Sequence, residues 1–360
     1  MIKIKRLVLS ALIVLLPAVS MQAQQTVRMN AIKANDYGVI YSLPKTSLVV
    51  TLKVKKTVYN RGEFYQFAQR YLSIDPITES RTEFTLEDVM VTNRGVADKD
   101  NSFMVIFRPN SIAPYVHLTQ DGLISTINTD PESEKTPSFD VPEPSPAPLN
   151  PRRFLSEETL MAGSTAKQAE LVSKQIFELR RSRNDILIGE ADNMPPDGEA
   201  YKVVMEQINN QEKALTEMFS GSTQTEYFTK EIVVIPTEKD IDKRIIGRFS
   251  EKLGPVDADN LAGAPIYLTL RSKTQKAETI LTDKDKERLA KKLSEGVVYN
   301  VPGKAQLTLE FRNKTLKNME TDIVQFGTKD VLAKKMFDNM KQPIKVVFYP
   351  DLGAIKQIIQ

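Results

Sequence analysis

Cysteine and tryptophan are absent from the 360 residues, and histidine occurs once, as His117. Without a thiol there is no disulfide, no cysteine-based zinc site and no lipid carried on an N-terminal cysteine. With one imidazole, a multi-histidine metal site is excluded, and a Ser-His-Asp triad would have to use His117. That residue lies in APYVHLTQDGLI, an alternating stretch that runs into a turn. A histidine there is expected to face solvent or a neighbouring strand. The missing tryptophan removes the commonest platform for sugar rings, although 11 Tyr and 15 Phe remain. Also absent are GxxxxGKS/T, GxSxG, HExxH and a GxGxxG after a strand, so no phosphate-binding or hydrolytic signature is present.

What is present begins with MIKIKRLVLSALIVLLPAVSMQAQQTV: a basic start, an apolar run from Leu7 to about Val19, and small residues before Gln24. This order is that of a cleaved leader, residues 1–23, and the run is shorter than the roughly 18 apolar residues that a membrane span needs. Lys3, Lys5 and Arg6 belong to the 49 basic residues, and the 46 left after cleavage balance the 46 acidic ones. A nucleic-acid partner is therefore not expected.

Beyond the leader the chain reads as α+β. Residues 24–130 form a first β-rich domain: in TSLVVTLKVKK, Leu48, Val50, Leu52 and Val54 share one face, as in a half-buried strand. Phe64, Phe67, Ala68 and Tyr71 follow at helical spacing, and FTLEDVMV, SFMVIFRP, YVHL and GLISTI read as strands separated by turns. Residues 131–153 form a linker, because seven of the 20 prolines fall between Pro131 and Pro151 and proline has no amide donor for a sheet. Residues 154–222 predict an antiparallel helical hairpin. Val172, Ile176, Leu179 and Ile186 follow a heptad interrupted at Arg183, and Val204, Ile208, Leu215 and Met218 one interrupted at Gln211. Pro195, Pro196 and Gly198 separate the two, with Asp197 placed to cap the second helix and Gly221 to stop it. Residues 223–360 return to strands, with one charged helix in DKDKERLAKKLSEG.

Three phrases recur in order: GVIYSLP (38–44) as GVVYNVP (296–302), VIFRPN (105–110) as VVFYPD (346–351), and GLISTI (122–127) as GAIKQI (353–358). They predict an internal duplication, two related β-rich domains flanking the hairpin. In each copy a strand is expected to end at Tyr-x-x-Pro, since proline blocks further pairing. A paired binding site at Tyr41, Pro44, Tyr299 and Pro302 is the sharper reading of the same residues.

The most suggestive oxygen ligands for a hard cation are Glu190, Asp192, Asn193 and Asp197 in the hairpin loop. Their spacing departs from an EF-hand, and helix caps and ion pairs account for them, so no metal or other cofactor is expected. Arg180, Arg183 and Gln211 are the candidate partner-binding residues, because a self-sufficient seam would place apolar side chains at the heptad interruptions. Glu87 with Asp88, or the aspartates between 256 and 285, could serve as a glycosidase pair.

Taken together, YSLPKT, GEFYQFAQRYL, IGEADNMPPDGEA, VVYNVPG and VQFG resemble a family of exported Bacteroidetes proteins known as a domain of unknown function. The resemblance covers most of the mature chain. It implies a cell-envelope setting in a diderm bacterium and brings no catalytic residue with it. The expected function is that of a non-enzymatic exported envelope protein, structural or partner-binding. The alternative is a carboxylate-dependent hydrolase acting on glycans.

Overall fold

A computed structural model describes residues 38–106, 116–132, 137–196, 198–274, 283–293, 296–337 and 344–359, all within one compact unit. The expected leader, Asp197 and residues 107–110 of VIFRPN lie outside the described residues.

The elements run β1 (Gly38–Asn60), α1 (Ala68–Leu72), β2 (Arg81–Ile106), β3 (Val116–Leu118), β4 (Ile124–Ile127), α2 (Glu157–Met161), α3 (Thr165–Ile188) and α4 (Glu199–Ser220). There follow β5 (Ser222–Val234), β6 (Ile241–Ser250), β7 (Gly254–Val256), β8 (Ala264–Ser272), α5 (Asp283–Leu293), β9 (Gly296–Phe311), β10 (Lys314–Ala333), β11 (Lys345–Tyr349) and β12 (Ala354–Ile359). The strands form three sheets, ordered β2-β1-β5, β10-β9-β8-β6-β7 and β12-β11-β4-β3, with antiparallel pairing within each. The chain is thus an α+β protein dominated by strands.

The alternation in β1 predicts one buried face correctly, but the strand is not half-buried, because Ser47, Val49 and Thr51 on the other face are buried as well. Leu48, Val50, Leu52 and Val54 are all buried, and they meet Leu268, Leu270, Leu307 and Leu309 of the second sheet in one cluster. A second cluster joins Tyr41 and Leu43 to Ile127, Val297, Val346 and Phe348. Strands before and after the helices therefore contribute to the same two cores. The third cluster is separate: Val172 and Ile176 of α3 pack with Leu215, Met218 and Phe219 of α4, over Phe64 and Ala68 beside α1.

Two expectations are corrected. The Tyr-x-x-Pro phrases do not end their strands, because β1 runs on to Asn60 and β9 to Phe311. Proline is tolerated because the ladder is interrupted there. Ser42 pairs with Ser102 and Pro44 with Ala97, so residues 98–101 bulge from β2; Val301 pairs with Thr328 and Gly303 with Ile323, so residues 324–327 bulge from β10. A missing amide donor costs nothing where no partner awaits it. Nor does a turn separate FTLEDVMV from SFMVIFRP, since β2 runs unbroken from the first into the second. Gly95 stays in the ladder opposite Thr46, and its amide donates to Asp351 Oδ1 at 2.7 Å. A Cβ there would lie 2.7 Å from the Asp351 Cα, so glycine is required by close approach rather than by a bend.

The matched phrase VIFRPN/VVFYPD falls on different elements. Val105 and Ile106 end β2 beside Val39 and Gly38, whereas Val346 to Phe348 lie in β11 of the third sheet. The strand that occupies the β2 position beside β9 is β10, in which Ala333 pairs with Gly296. The proline-rich segment is exposed along most of its length but anchored. The Ser145 amide donates to the Thr225 carbonyl at 3.0 Å, and Lys53 Nζ donates to the Asp140 carbonyl at 2.9 Å.

Candidate functional site

Two of the residues singled out on the helices, Arg180 and Arg183, meet at one side chain of α4. Ser164 caps α3 by accepting from the Lys167 amide, Gly189 ends it at φ 79°, and Gly221 follows α4 at φ 82°. Arg180 Nε donates to Glu212 Oε1 at 2.7 Å, and Arg183 donates to Glu212 Oε2 and to Asn209 Oδ1. The heptad interruption at Arg183 is thus filled from the facing helix, by a carboxylate that both guanidiniums share. Gln211 lies beside this carboxylate in sequence and is half-buried. Glu190 and Asp192 are exposed, and among the described residues no three His, Asp or Glu side chains gather into a group that could hold a metal ion.

Burial along the helices is uneven. Their bases hold Ala169, Val172, Ile176, Leu215, Met218 and Phe219 at no more than 4% exposure, whereas Leu187, Ile188, Met194 and Val203 at the tip are 47–59% exposed. Single exposed apolar residues are ordinary; here four fall at one end of the helix pair, against Phe177 alone, 50% exposed, nearer the base of α3.

The repeated phrases meet at a second place. Tyr41 Oη donates to the Val298 carbonyl at 2.9 Å and accepts from the Val298 amide at 2.8 Å. Asn300 Nδ2 donates to the carbonyls of Pro44 and Leu352. The bulge of β10 bonds to β1: the Val324 amide donates to Thr46 Oγ1, and Gln325 exchanges hydrogen bonds with the Thr46 backbone. The bulge of β2 reaches back, with Lys329 donating to Asn101 Oδ1. Tyr41 is buried and fully engaged in this contact, which suits a joint better than a binding site.

Asp98, 5% exposed, is the charged centre of the β2 bulge, 2.9 Å from Lys45 Nζ and accepting from Asn101 Nδ2 and the Asp100 amide. Burial pushes its carboxyl up, but the Lys45 ammonium and these two donors outweigh it and hold the pKa below the usual range. A depressed folded pKa stabilises above the unfolded value of about 3.9 and is lost as pH falls through the folded one. Stability measured from pH 5 down to 2 is therefore expected to fall less steeply in Asp98→Asn than in the wild type, as read from the urea midpoint at each pH. Equal slopes would remove Asp98 from the acid response.

A cavity of about 780 Å³ opens where the end of the first sheet meets the second. Its floor is apolar, made by Phe84, Leu86, Phe249, Phe311 and Leu316. Phe249 and Phe311 meet edge to face, with centroids 6.0 Å apart. One wall is the tip of the β9–β10 hairpin, a two-residue turn at Arg312 and Asn313 with φ of 48° and 61°. At the rim Arg81 pairs with Glu83 at 2.7 Å and Arg312 with Glu251 at 2.6 Å. These residues come from three distant parts of the chain, and the sequence reading missed them. Phe84 in FTLEDVMV and Phe311 in AQLTLEF were legible as strand residues only.

The family model for a domain of unknown function, DUF4831, matches residues 37–356. The chain belongs to that family. No curated protein and no solved structure matches it.

Proposed function

We propose that this is a non-enzymatic exported protein of the cell envelope, in which a duplicated β scaffold carries a helical hairpin that docks a protein partner through its tip. The observation that carries the docking is the contrast between the buried bases of α3 and α4 and the half-exposed Leu187, Ile188, Met194 and Val203. Arg180, Arg183 and Gln211, one to two turns closer to the bases, supply polar contacts along the seam. Export is supported by the leader-like residues 1–23. No helix among the described residues is long and apolar enough to cross a membrane.

Duplication is supported by equivalent details at equivalent places. The Ser42 amide donates to the Gly122 carbonyl at 3.0 Å, and the Asn300 amide to the Gly353 carbonyl at 2.8 Å. Ser42 and Asn300 are the fifth residues of the repeated phrase, and Gly122 and Gly353 open the repeated GLISTI and GAIKQI. Both glycines have positive φ, 77° and 61°. Opposite each phrase the partner strand bulges beside the proline, and β3–β4 corresponds to β11–β12. The unit repeated is thus a long hairpin followed by a short one, in β1 to β4 and again in β9 to β12.

The hydrolase reading has less support, because Glu87 and Asp88, neighbours in β2, are both exposed.

Removing the whole hairpin would strip Phe64 and Ala68 of their cover, so a test at the tip is cleaner. A photocrosslinking side chain placed at Leu187 in intact cells is expected to give one dominant adduct that is lost in Ile188→Asp/Val203→Asp with the thermal midpoint unchanged. Sequencing the same captured protein is expected to find Gln24 at its N-terminus. Labelling no stronger than from the exposed base position Lys174 would end the docking reading, and an intact Met1 would end the export reading.

A further inference from the structure

We infer that the cavity between the ends of the first and second sheets binds a single-chain anionic amphiphile, an alkyl carboxylate, with its chain on the phenylalanine floor and its head group at Lys252 and Lys314. The volume of about 780 Å³ lies within the roughly 300–1,000 Å³ of small-molecule sites. The floor formed by Phe84, Leu86, Phe249, Phe311 and Leu316 has no charged group, so what fills it gains by being apolar. The rim sets the sign. Arg81 and Arg312 are neutralised by Glu83 and Glu251, whereas Lys252 and Lys314, both exposed, have no carboxylate within 4.0 Å among the described residues. Two unspent ammonium groups at the mouth of an apolar hollow complement an anionic head on an apolar tail.

Other occupants fit less well. The edge-to-face rings at the bottom present no flat platform on which a sugar could stack. An added peptide strand would need free amides along β2, but the Phe84 amide already donates to the Glu251 carbonyl at 2.7 Å.

The test is isothermal titration of the full exported chain with decanoate below its micelle concentration, alongside decan-1-ol and acetate. Decanoate is expected to bind one per chain with a negative heat-capacity change, decan-1-ol to bind at least about fivefold more weakly, and acetate not at all. Lys252→Glu/Lys314→Glu, at exposed positions that leave the fold intact, is expected to weaken decanoate at least about fivefold and leave decan-1-ol unchanged. Uptake without saturation, equal affinity for the alcohol, or equal decanoate affinity in the double variant would each overturn the proposal.

Discussion

Tyr41→Phe is expected to lower the unfolding free energy by about 2–4 kcal/mol, a large loss for the removal of one oxygen. The hydroxyl is both donor to and acceptor from the Val298 backbone, inside a residue that is 2% exposed. Removing it leaves a buried N–H and a buried C=O without partners, each costing about 1–3 kcal/mol. Tyr299, the counterpart in the second phrase, is half-buried, and its hydroxyl is 3.5 Å from an Asp330 oxygen. Tyr299→Phe should therefore cost less than about 1 kcal/mol. Urea unfolding of the two variants side by side checks the pair, and equal losses would refute the bridging role. Burial raises the Tyr41 pKa above that of a free phenol, against a smaller lowering by the Val298 hydrogen bond. For an acid kept neutral by the fold, the contribution is intact at neutral pH and declines as pH rises past the unfolded value of about 10.

Gly327→Ala is expected to cost about 3 kcal/mol, near the upper end for overpacking, because the atoms it would strike first are backbone, not the ends of flexible side chains. A Cβ at this position would lie 1.9 Å from the Val301 carbonyl oxygen and 2.8 Å from the Gly303 nitrogen and the Pro302 Cα. These three nearest atoms all belong to backbone. Relief would require the four-residue bulge of β10 to move, and Val324 and Gln325 in that bulge are bonded to Thr46. The comparison is Gly163→Ala, where nothing lies within 4 Å and φ is not positive. There the change should be neutral or stabilise by up to about 1 kcal/mol, through the entropy of the unfolded chain. Thermal and urea midpoints of the two variants separate these outcomes, and a mild Gly327→Ala would show that the bulge is not fixed.

How far the sequence could be read depended on the range of the interaction. The buried face of β1 was legible because Leu48, Val50, Leu52 and Val54 alternate within seven residues, and the two long helices because their apolar residues recur at three and four. The persistence of β1 beyond Pro44 was not, since it depends on a bulge in β2 that lies more than 50 residues away. Arg183 looked like a gap in a seam because its partner Glu212 is 29 residues off and on another helix. The cavity was invisible for the same reason: Phe84, Phe249 and Phe311 give no common local pattern. The first repeated phrase opens β1 and β9 and the third runs into β4 and β12, while the second falls at the end of β2 and in β11, strands that share composition but not position.

The joint between the repeated phrases also constrains the order in which the molecule can be completed. Tyr41 and Leu43 enter the same cluster as Val346 and Phe348, and the Tyr41 hydroxyl bonds to a residue 257 positions later. Contacts of such separation slow folding, since the intervening chain must be gathered before they repay the entropy of closing it. During synthesis β1 emerges early, yet Tyr41 and Leu43 wait for β11 before their cluster is complete. A chain wired in this way cannot close the joint at Tyr41 until strands from both ends of the described fold have been made, whatever order the rest follows.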